Sequence, residues 1–273
     1  MKIYIQVDIE GIAGMADFEN REDTSLRNWD RIVRLRNVMT EEVNAAVRGA
    51  FDGGASKVTV WDSHGDGYSI LFEKLDPRCE LIRGNYSRAP WLPFFEDGYD
   101  GGFYLGAHAM AGTPFAALAH SRIVLNNKTY GEAGAFITLL ASKGLPTLLL
   151  TGDKAAVEQV LSYMPRIEHV ITKTALGPYV VKTRIPEAVN KEIYKKARRA
   201  VTRRKDIPVY EIKPPYKFKR EKNGKIIKYS YSNDLLETYR RYLGKFIYEE
   251  INQCTGRPRV DKYLDDKYKH SLK

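Results

Sequence analysis

Short hydrophobic runs alternate with helical patterns over the first two thirds of the chain. The runs predict strands at Ile3–Val7, Lys57–Trp61, Gly102–Gly106, Ala116–His120, Arg122–Leu125 and Thr147–Leu150. Apolar residues three and four positions apart predict helices at Thr40–Phe51 and Gly131–Ser142. This alternation is typical of an α/β fold, with a mainly parallel sheet and helices on both of its faces.

The pattern changes beyond Ile167, where a strand, a long basic helix, a hairpin and an amphipathic helix are expected. Their predicted bounds are Ile167–Thr172, Pro186–Arg204, Val209–Ile212, Lys225–Tyr231 and Asn233–Ile251, with the hairpin turn at Asn223-Gly224. This order predicts a smaller α+β domain over residues 166–273, packed on a larger α/β domain over residues 1–165.

The formal net charge of +10 is concentrated in one late segment. Lys182–Lys228 contains 17 Lys and Arg against 5 Asp and Glu, whereas the rest of the chain is close to neutral. Such a run usually forms a solvated face, and attraction for acidic substrates, RNA or membrane is the alternative. The segment lacks the interleaved aromatic and glycine residues of common nucleic-acid-binding modules, so nucleic acid is not an expected partner.

Hydropathy and cysteine usage bear on location. No run reaches the roughly 18 apolar residues that a membrane span requires. The amino terminus is expected to be a first strand rather than a signal peptide. Cys79 and Cys254 are far apart in sequence and are expected to remain reduced, which favours a cytoplasmic protein.

Candidate chemistry lies where predicted strands end. Asp8 and Glu10 close the first strand two residues apart, so their side chains share a face. His64 and His108 follow the second and third strands, and Glu132 begins a helix. Because ligands collect outside the carboxyl ends of parallel strands, we expect several of these side chains to meet at one edge of the sheet.

Three carboxylates and two imidazoles suit zinc and, less well, manganese or cobalt. Five ligands exceed the needs of one tetrahedral zinc with an open position, so two ions bridged by Asp8 are the natural interpretation. Taken singly, each residue also has a structural explanation: a strand-end Asp caps turns, a His beside Gly is commonly structural, and a first-turn Glu serves the helix dipole.

Four motifs occur in order: VDIEGIAG, WDSHG, GAHAMAGTP followed by AHS, and a Gly-Glu pair that opens a helix. Over the first 150 residues or so the chain therefore resembles the DppA-type D-aminopeptidases (the dipeptide transport protein family). The resemblance implies a dinuclear zinc enzyme that releases amino-terminal residues from short peptides, with a preference for D-amino acids.

The resemblance also implies roles for individual residues. Asp8 resembles the bridging ligand; Glu10 and His108 would complete one zinc site, and His64 and Glu132 the other. His120 matches the family's catalytic histidine, as a general acid, a nucleophile or an oxyanion stabiliser.

The resemblance further implies a ring-shaped homo-oligomer, a decamer, whose active sites face an inner channel. Two alternatives stay open at this stage. One is a two-metal hydrolase of phosphate or ester substrates, and the other is a metal-binding relative without activity.

Overall fold

A computed structural model describes residues 1–84, 91–95, 98–177, 179–222 and 225–239. In these residues the strands are β1 (Lys2–Val7), β2 (Lys57–Asp62), β3 (Glu80–Ile82), β4 (Gly101–Ala107), β5 (Ile123–Leu125), β6 (Lys128–Tyr130), β7 (Thr147–Asp153), β8 (Glu168–Gly177), β9 (Val180–Thr183), β10 (Tyr216–Lys222) and β11 (Lys225–Ser232). The longer helices are α1 (Leu26–Asp52), α2 (Glu132–Ser142), α3 (Lys154–Leu161) and α4 (Pro186–Thr202).

The main sheet has the strand order β3-β2-β1-β4-β7-β8-β9. All neighbouring strands run parallel except β8 and β9, which pair antiparallel. The chain builds outward from β1 on one side through β2 and β3, and then crosses to β4 and continues on the other side. The strand order therefore reverses between β1 and β4, where ligand sites of open α/β sheets form.

Side chains of β1 alternate between two hydrophobic cores. Ile3 and Ile5 belong to the core that contains residues of α1 and α4, whereas Tyr4 belongs to the core that contains residues of α2 and α3. The period of two along the strand places these side chains on opposite faces. Helices thus cover both faces of the sheet, and the predicted α/β class is confirmed.

A second, smaller sheet has the order β11-β10-β5-β6. Its antiparallel pairs join the carboxyl-terminal hairpin to a short hairpin that precedes α2. The turn of that short hairpin is Asn126-Asn127, and both residues have positive φ values, 50° and 65°. The hairpin matters for function because it leads directly into Glu132 at the start of α2.

Several predicted elements differ from the structure. Helix α1 begins at Leu26, capped by Ser25, rather than at Thr40, because its arginine-rich first half hides the apolar spacing. Ala116–His120 is not a strand, and only an isolated bridge pairs His120 with Met110. Val209–Ile212 also forms no strand. The Asn223-Gly224 turn lies outside the described residues, and of Asn233–Ile251 the structure describes a helix over 235–239.

The predicted domain boundary lies between α3 and β8. Strands on either side of it, β7 and β8, are neighbours in the main sheet. The division into residues 1–165 and 166–273 stays a prediction and is taken up below. Among the described residues, no helix has the length and apolarity to cross a bilayer.

Candidate metal centre

The predicted metal ligands that follow three neighbouring strands meet at one edge of the main sheet. Asp8, His64 and His108 follow β1, β2 and β4, which are adjacent in the order β2-β1-β4. Glu10 lies in the loop after β1, and Glu132 is the first residue of α2. The structure therefore brings all five residues together at the point where the strand order reverses.

Asp8 occupies the centre of the group. Its Oδ1 atom lies 3.2 Å from His64 Nδ1, and its Oδ2 atom lies 3.5 Å from His108 Nε2. The side chain is almost fully buried. A carboxylate whose two oxygens face two different imidazoles has the position expected of a ligand that bridges two metal ions.

The two outer carboxylates each face one imidazole. Glu10 Oε2 lies 3.2 Å from His64 Nδ1, and Glu132 Oε1 lies 3.7 Å from His108 Nε2. The contacts therefore form two groups, Glu10 with His64 and Glu132 with His108. This partition differs from the one that the resemblance implied, which joined Glu10 to His108 and Glu132 to His64.

Backbone contacts fix which nitrogen of His108 faces the carboxylates. His108 Nδ1 donates a hydrogen bond of 2.9 Å to the carbonyl of Ala109. A neutral imidazole with its hydrogen on Nδ1 has its lone pair on Nε2. Within the described residues the buried atoms His108 Nε2 and Glu10 Oε2 have no hydrogen-bond partner of good geometry. Buried polar atoms without such partners are rare. Here His108 Nε2 faces Asp8, and Glu10 Oε2 faces His64.

The distances fit metal coordination. Two ligands on one tetrahedral zinc, each about 2.0–2.1 Å from the ion, lie about 3.3 Å apart. The observed nitrogen–oxygen separations are 3.2, 3.2, 3.5 and 3.7 Å. Carboxylate oxygens and imidazole nitrogens are also the donor types that zinc prefers among nitrogen and oxygen ligands. The residues present therefore fit a zinc pair.

The electrostatics of the group favour a cation. Burial raises the pKa of Glu10, and the negative charge of Asp8 raises it further. Burial also raises the pKa of Asp8, but hydrogen bonds with His64 outweigh it and hold that pKa well below its usual range. Burial lowers the pKa of His108, yet contact with Glu132 raises it to about 10. The buried carboxylates of Asp8 and Glu10, with the partly buried one of Glu132, thus draw positive charge to the site, and a divalent cation supplies it.

His120 stands beside the second group. Its ring stacks on that of His108, with centroids 3.8 Å apart and an interplanar angle of 14°. Its Nδ1 donates to the carbonyl of Leu118 at 2.9 Å, and its Nε2 lies 3.8 Å from Glu132 Oε1. The His120 side chain is 39% exposed, so its ring is partly accessible to solvent at the edge of the centre.

Supporting residues include some that sequence reasoning did not identify. Asp62 and Asp66 flank His64 in the sequence, but Asp62 accepts hydrogen bonds from the backbone N–H groups of Ser69 and Ile70, and Asp66 pairs with Arg21. The carboxylate of Glu19 faces His64 instead, with Glu19 Oε2 3.6 Å from His64 Nε2. No strand end or motif marks Glu19 in the sequence.

Two further residues hold the loops of the site. Ser121 Oγ donates to Glu132 Oε1 at 2.6 Å, which fixes one oxygen of that carboxylate. The buried Lys173 donates to the carbonyls of Glu10 and Met15, so β8 anchors the loop that follows β1. Burial lowers the pKa of Lys173 to about 8. The sequence does not indicate that Lys173 anchors this loop, because it is simply a lysine within a strand pattern.

Comparison with known proteins agrees with this geometry. A family model described as D-aminopeptidase matches residues 1–227. The chain is similar to a D-aminopeptidase of Bacillus subtilis (strain 168), with 32% identity over 192 residues that span 68% of each protein. It is also similar in structure to the Zn-dependent D-aminopeptidase DppA from Bacillus subtilis, a self-compartmentalizing protease. The TM-score there is 0.78 at 25% identity, and the match covers 94% of this chain and 100% of that one. The chain belongs to the D-aminopeptidase family.

Proposed function

We propose that this chain is a zinc-dependent aminopeptidase that releases the amino-terminal residue of short peptides and prefers D-amino acids. The observation that carries the proposal is the position of Asp8, whose two oxygens face His64 and His108. The zinc requirement and the D-preference rest on the related D-aminopeptidases. The carboxylate and imidazole donors of this chain are consistent with a zinc requirement.

We propose two ions per chain, with Asp8 between them. Glu10 and His64 would hold one ion with Asp8, and His108 and Glu132 the other. When bound, a zinc pair lowers the pKa of a water molecule and polarises the scissile carbonyl. Ser121 would support the Glu132 carboxylate, and Lys173 would support the loop that carries Glu10.

His120 is proposed as the residue that moves a proton in the reaction. Its Nδ1 is engaged by the Leu118 carbonyl, which leaves Nε2 as the nitrogen that can accept or deliver a proton. Release of an amine from a peptide requires protonation of the leaving nitrogen, and a positioned imidazole suits that task. Stacking on His108 holds the ring beside the centre.

Assembly and location are proposed from the relatives and the sequence. DppA is a self-compartmentalizing protease, and we propose that this chain likewise forms a homo-oligomer, a ring-shaped decamer that admits short peptides. We also propose a cytoplasmic location, on the expectation that the two cysteines stay reduced. Cys254 lies outside the described residues.

A substrate panel tests the activity. Purified protein, stripped with a chelator and reloaded with zinc, is given dipeptides and amino-acyl p-nitroanilides in both stereochemical series, together with p-nitrophenyl phosphate and acetate. We expect amino-terminal residue release that depends on zinc and is faster in the D-series. Zinc-dependent turnover of only the phosphate or the ester would favour the rival two-metal hydrolase, and zinc binding without turnover would favour an inactive relative.

Variants at the two groups test the ligand assignment. His64→Ala and Glu132→Ala each remove a ligand from one ion, so zinc content should fall from about two ions per chain towards one and peptide release should be lost. His169→Ala, a histidine of β8 outside the site, serves as the control. Full zinc content and activity in either ligand variant would contradict the assignment.

A further inference from the structure

Glu19 places a buried carboxylate on the far side of His64 from the proposed metal ligands. Its side chain is only 3% exposed, and Oε2 lies 3.6 Å from His64 Nε2. The other ring nitrogen, Nδ1, lies 3.2 Å from both Asp8 Oδ1 and Glu10 Oε2. The imidazole of His64 therefore stands between Glu19 on one side and the metal-facing carboxylates on the other.

Two arginines hold Glu19 in this position. Arg36 of α1 donates from Nε to Glu19 Oε1 at 3.0 Å and from Nη2 to Oε2 at 3.3 Å. Arg21 donates from Nη2 to Oε2 at 3.0 Å, and its Nη1 donates to Asp66, two residues beyond His64. A buried carboxylate persists as an anion only when it is paired in this way. The pairs also tie the Glu19 loop to both α1 and the His64 loop.

We propose that Glu19 is a positioning residue that selects the tautomer of His64. A neutral imidazole carries one N–H, and the negative charge of Glu19 favours the tautomer with that hydrogen on Nε2. Nδ1 then presents its lone pair towards Asp8 and Glu10. A small rotation of the ring brings the 3.6 Å contact into hydrogen-bonding range. Carboxylates in this role orient metal-binding histidines and strengthen them as ligands.

The inference rests on the proposed function only in taking His64 as a zinc ligand. A purely structural role for Glu19, as a link between Arg21 and Arg36, is the competing explanation. The two differ in what they predict for zinc affinity. A structural link affects the stability of the fold, whereas a positioning residue affects how tightly the ion beside His64 is held.

Zinc affinity of the folded variants separates the two roles. Glu19→Leu removes the acceptor, and we expect one of the two zinc equivalents to bind about 10- to 100-fold more weakly in chelator competition. Glu19→Gln keeps an oxygen acceptor of the same length but not the negative charge, so it should recover only part of that loss. Glu22→Leu changes an exposed carboxylate of the same loop and should bind both equivalents as the wild type does. Thermal unfolding of the metal-free proteins measures the structural effect separately.

The His64 tautomer provides a measurement that needs no Glu19 variant. In protein with ¹⁵N-labelled histidine, loaded with zinc and assigned by comparison with His64→Ala, we expect the hydrogen of His64 on Nε2. A hydrogen on Nδ1, or a Glu19→Leu protein that is destabilised but binds both zinc equivalents as tightly as the wild type, would overturn the inference. Wild-type protein that binds zinc but releases no amino acid would contradict the proposed function alone, since neither measurement depends on turnover.

Discussion

The position of His120 allows two roles that differ in their consequences. Its Nε2 lies 3.8 Å from Glu132 Oε1, close enough for His120 to be either a proton carrier or an additional ligand of the second ion. The backbone on either side is unusual: Leu118 and Ser121 have φ values of 53° and 55°. Such left-handed conformations of residues other than glycine persist only where the surroundings enforce them, so the loop presents His120 in a defined place.

We expect His120→Ala to retain zinc and lose rate. Asp8, His108 and Glu132 remain to hold the second ion, whereas the leaving amine loses its proton source. The rate of peptide release at saturating substrate should fall by roughly 10²-fold or more, the scale of a general acid or base. Elemental analysis and single-substrate kinetics on the same preparation measure both quantities.

His169→Ala is the matched control for His120→Ala. His169 Nδ1 also contacts a carbonyl two residues earlier, that of Ile167, at 3.2 Å, but it lies on β8 outside the site. Zinc content and rate should both be unchanged in this variant. Loss of zinc together with rate in His120→Ala would instead make His120 a ligand.

At the level of single residues, the sequence predicted what lies at strand ends and missed what reaches the site from elsewhere. Asp8, His64 and His108 were identifiable because the end of a parallel strand is a topological position that a hydrophobic pattern reveals. His120 required the family resemblance. Glu19 and Lys173 were missed because a residue in a loop, or a lysine in a strand, gains its role only from three-dimensional contacts.

Between elements, glycines let the loop after β1 approach β4 closely. A Cβ atom at Gly11 would lie 2.0 Å from the carbonyl oxygen of Ala107, and one at Gly106 would lie 1.9 Å from that of Asp8. The backbone N–H of Gly11 donates to the Gly106 carbonyl at 2.8 Å. This backbone-to-backbone contact joins the segment that carries Asp8 and Glu10 to the segment that carries His108.

Gly11→Ala should force these two segments apart. The obstructing atom belongs to the backbone and cannot swing away, so we expect a loss of about 1–3 kcal/mol in unfolding free energy, the usual cost of overpacking. Zinc affinity should fall as well, because Asp8 and His108 share the affected contact. Urea unfolding of the metal-free protein and chelator competition measure the two effects.

Gly177→Ala is the control for added volume in a strand. A Cβ atom there would meet nothing within 4 Å. Its unfolding free energy should stay within about 0.5 kcal/mol of the wild-type value, as at ordinary surface sites. Equal stability and equal zinc affinity of Gly11→Ala and Gly177→Ala would show that the approach of the loop to β4 does not maintain the site.

The same distinction between local and long-range information applies to whole elements. The strands of the main sheet were predictable because buried parallel strands are continuous apolar runs. The first half of α1 was missed because Leu26, Trp29 and Val33 are exposed apolar residues among arginines, which blurs the pattern of a helix with one apolar face. The segment 116–120 was predicted as a strand because it is apolar, but Leu118 within it has a φ value of 53°, which is not the extended conformation of a strand.

In the molecule as a whole, part of the basic segment has an internal role. Glu168 of β8 is buried, and its carboxylate oxygens lie 3.1 Å from Lys196 Nζ and 3.1 Å from Arg199 Nε of α4, and 2.5 Å from Nη1 of Arg203, which follows α4. These cations neutralise a buried carboxylate and fix α4 against the sheet. Part of the positive charge that is concentrated in this segment therefore pairs with a buried carboxylate inside the fold.

The region beyond residue 165 also completes structures that begin before it. Helix α4 lies against α1 so closely that a Cβ atom at Gly49 would be 2.4 Å from the carbonyl oxygen of Tyr194. Apolar residues of α4, among them Val189 and Ile193, belong to the same core as Ile3 and Ile5 of β1. The second sheet likewise pairs β10 with β5 across the boundary.

We therefore expect a fragment of residues 1–165 not to fold as an independent unit. Without β8 and α4 it would expose an edge of the main sheet and one face of α1, and it would lose the bonds of Lys173 to the loop that carries Glu10. Because edges and apolar faces of this kind promote aggregation, the fragment alone should lack a cooperative thermal transition and bind zinc weakly. Co-expression with residues 166–273 should restore both properties. A fragment that unfolds cooperatively by itself and keeps two tightly bound ions would instead establish the domain division predicted from the sequence.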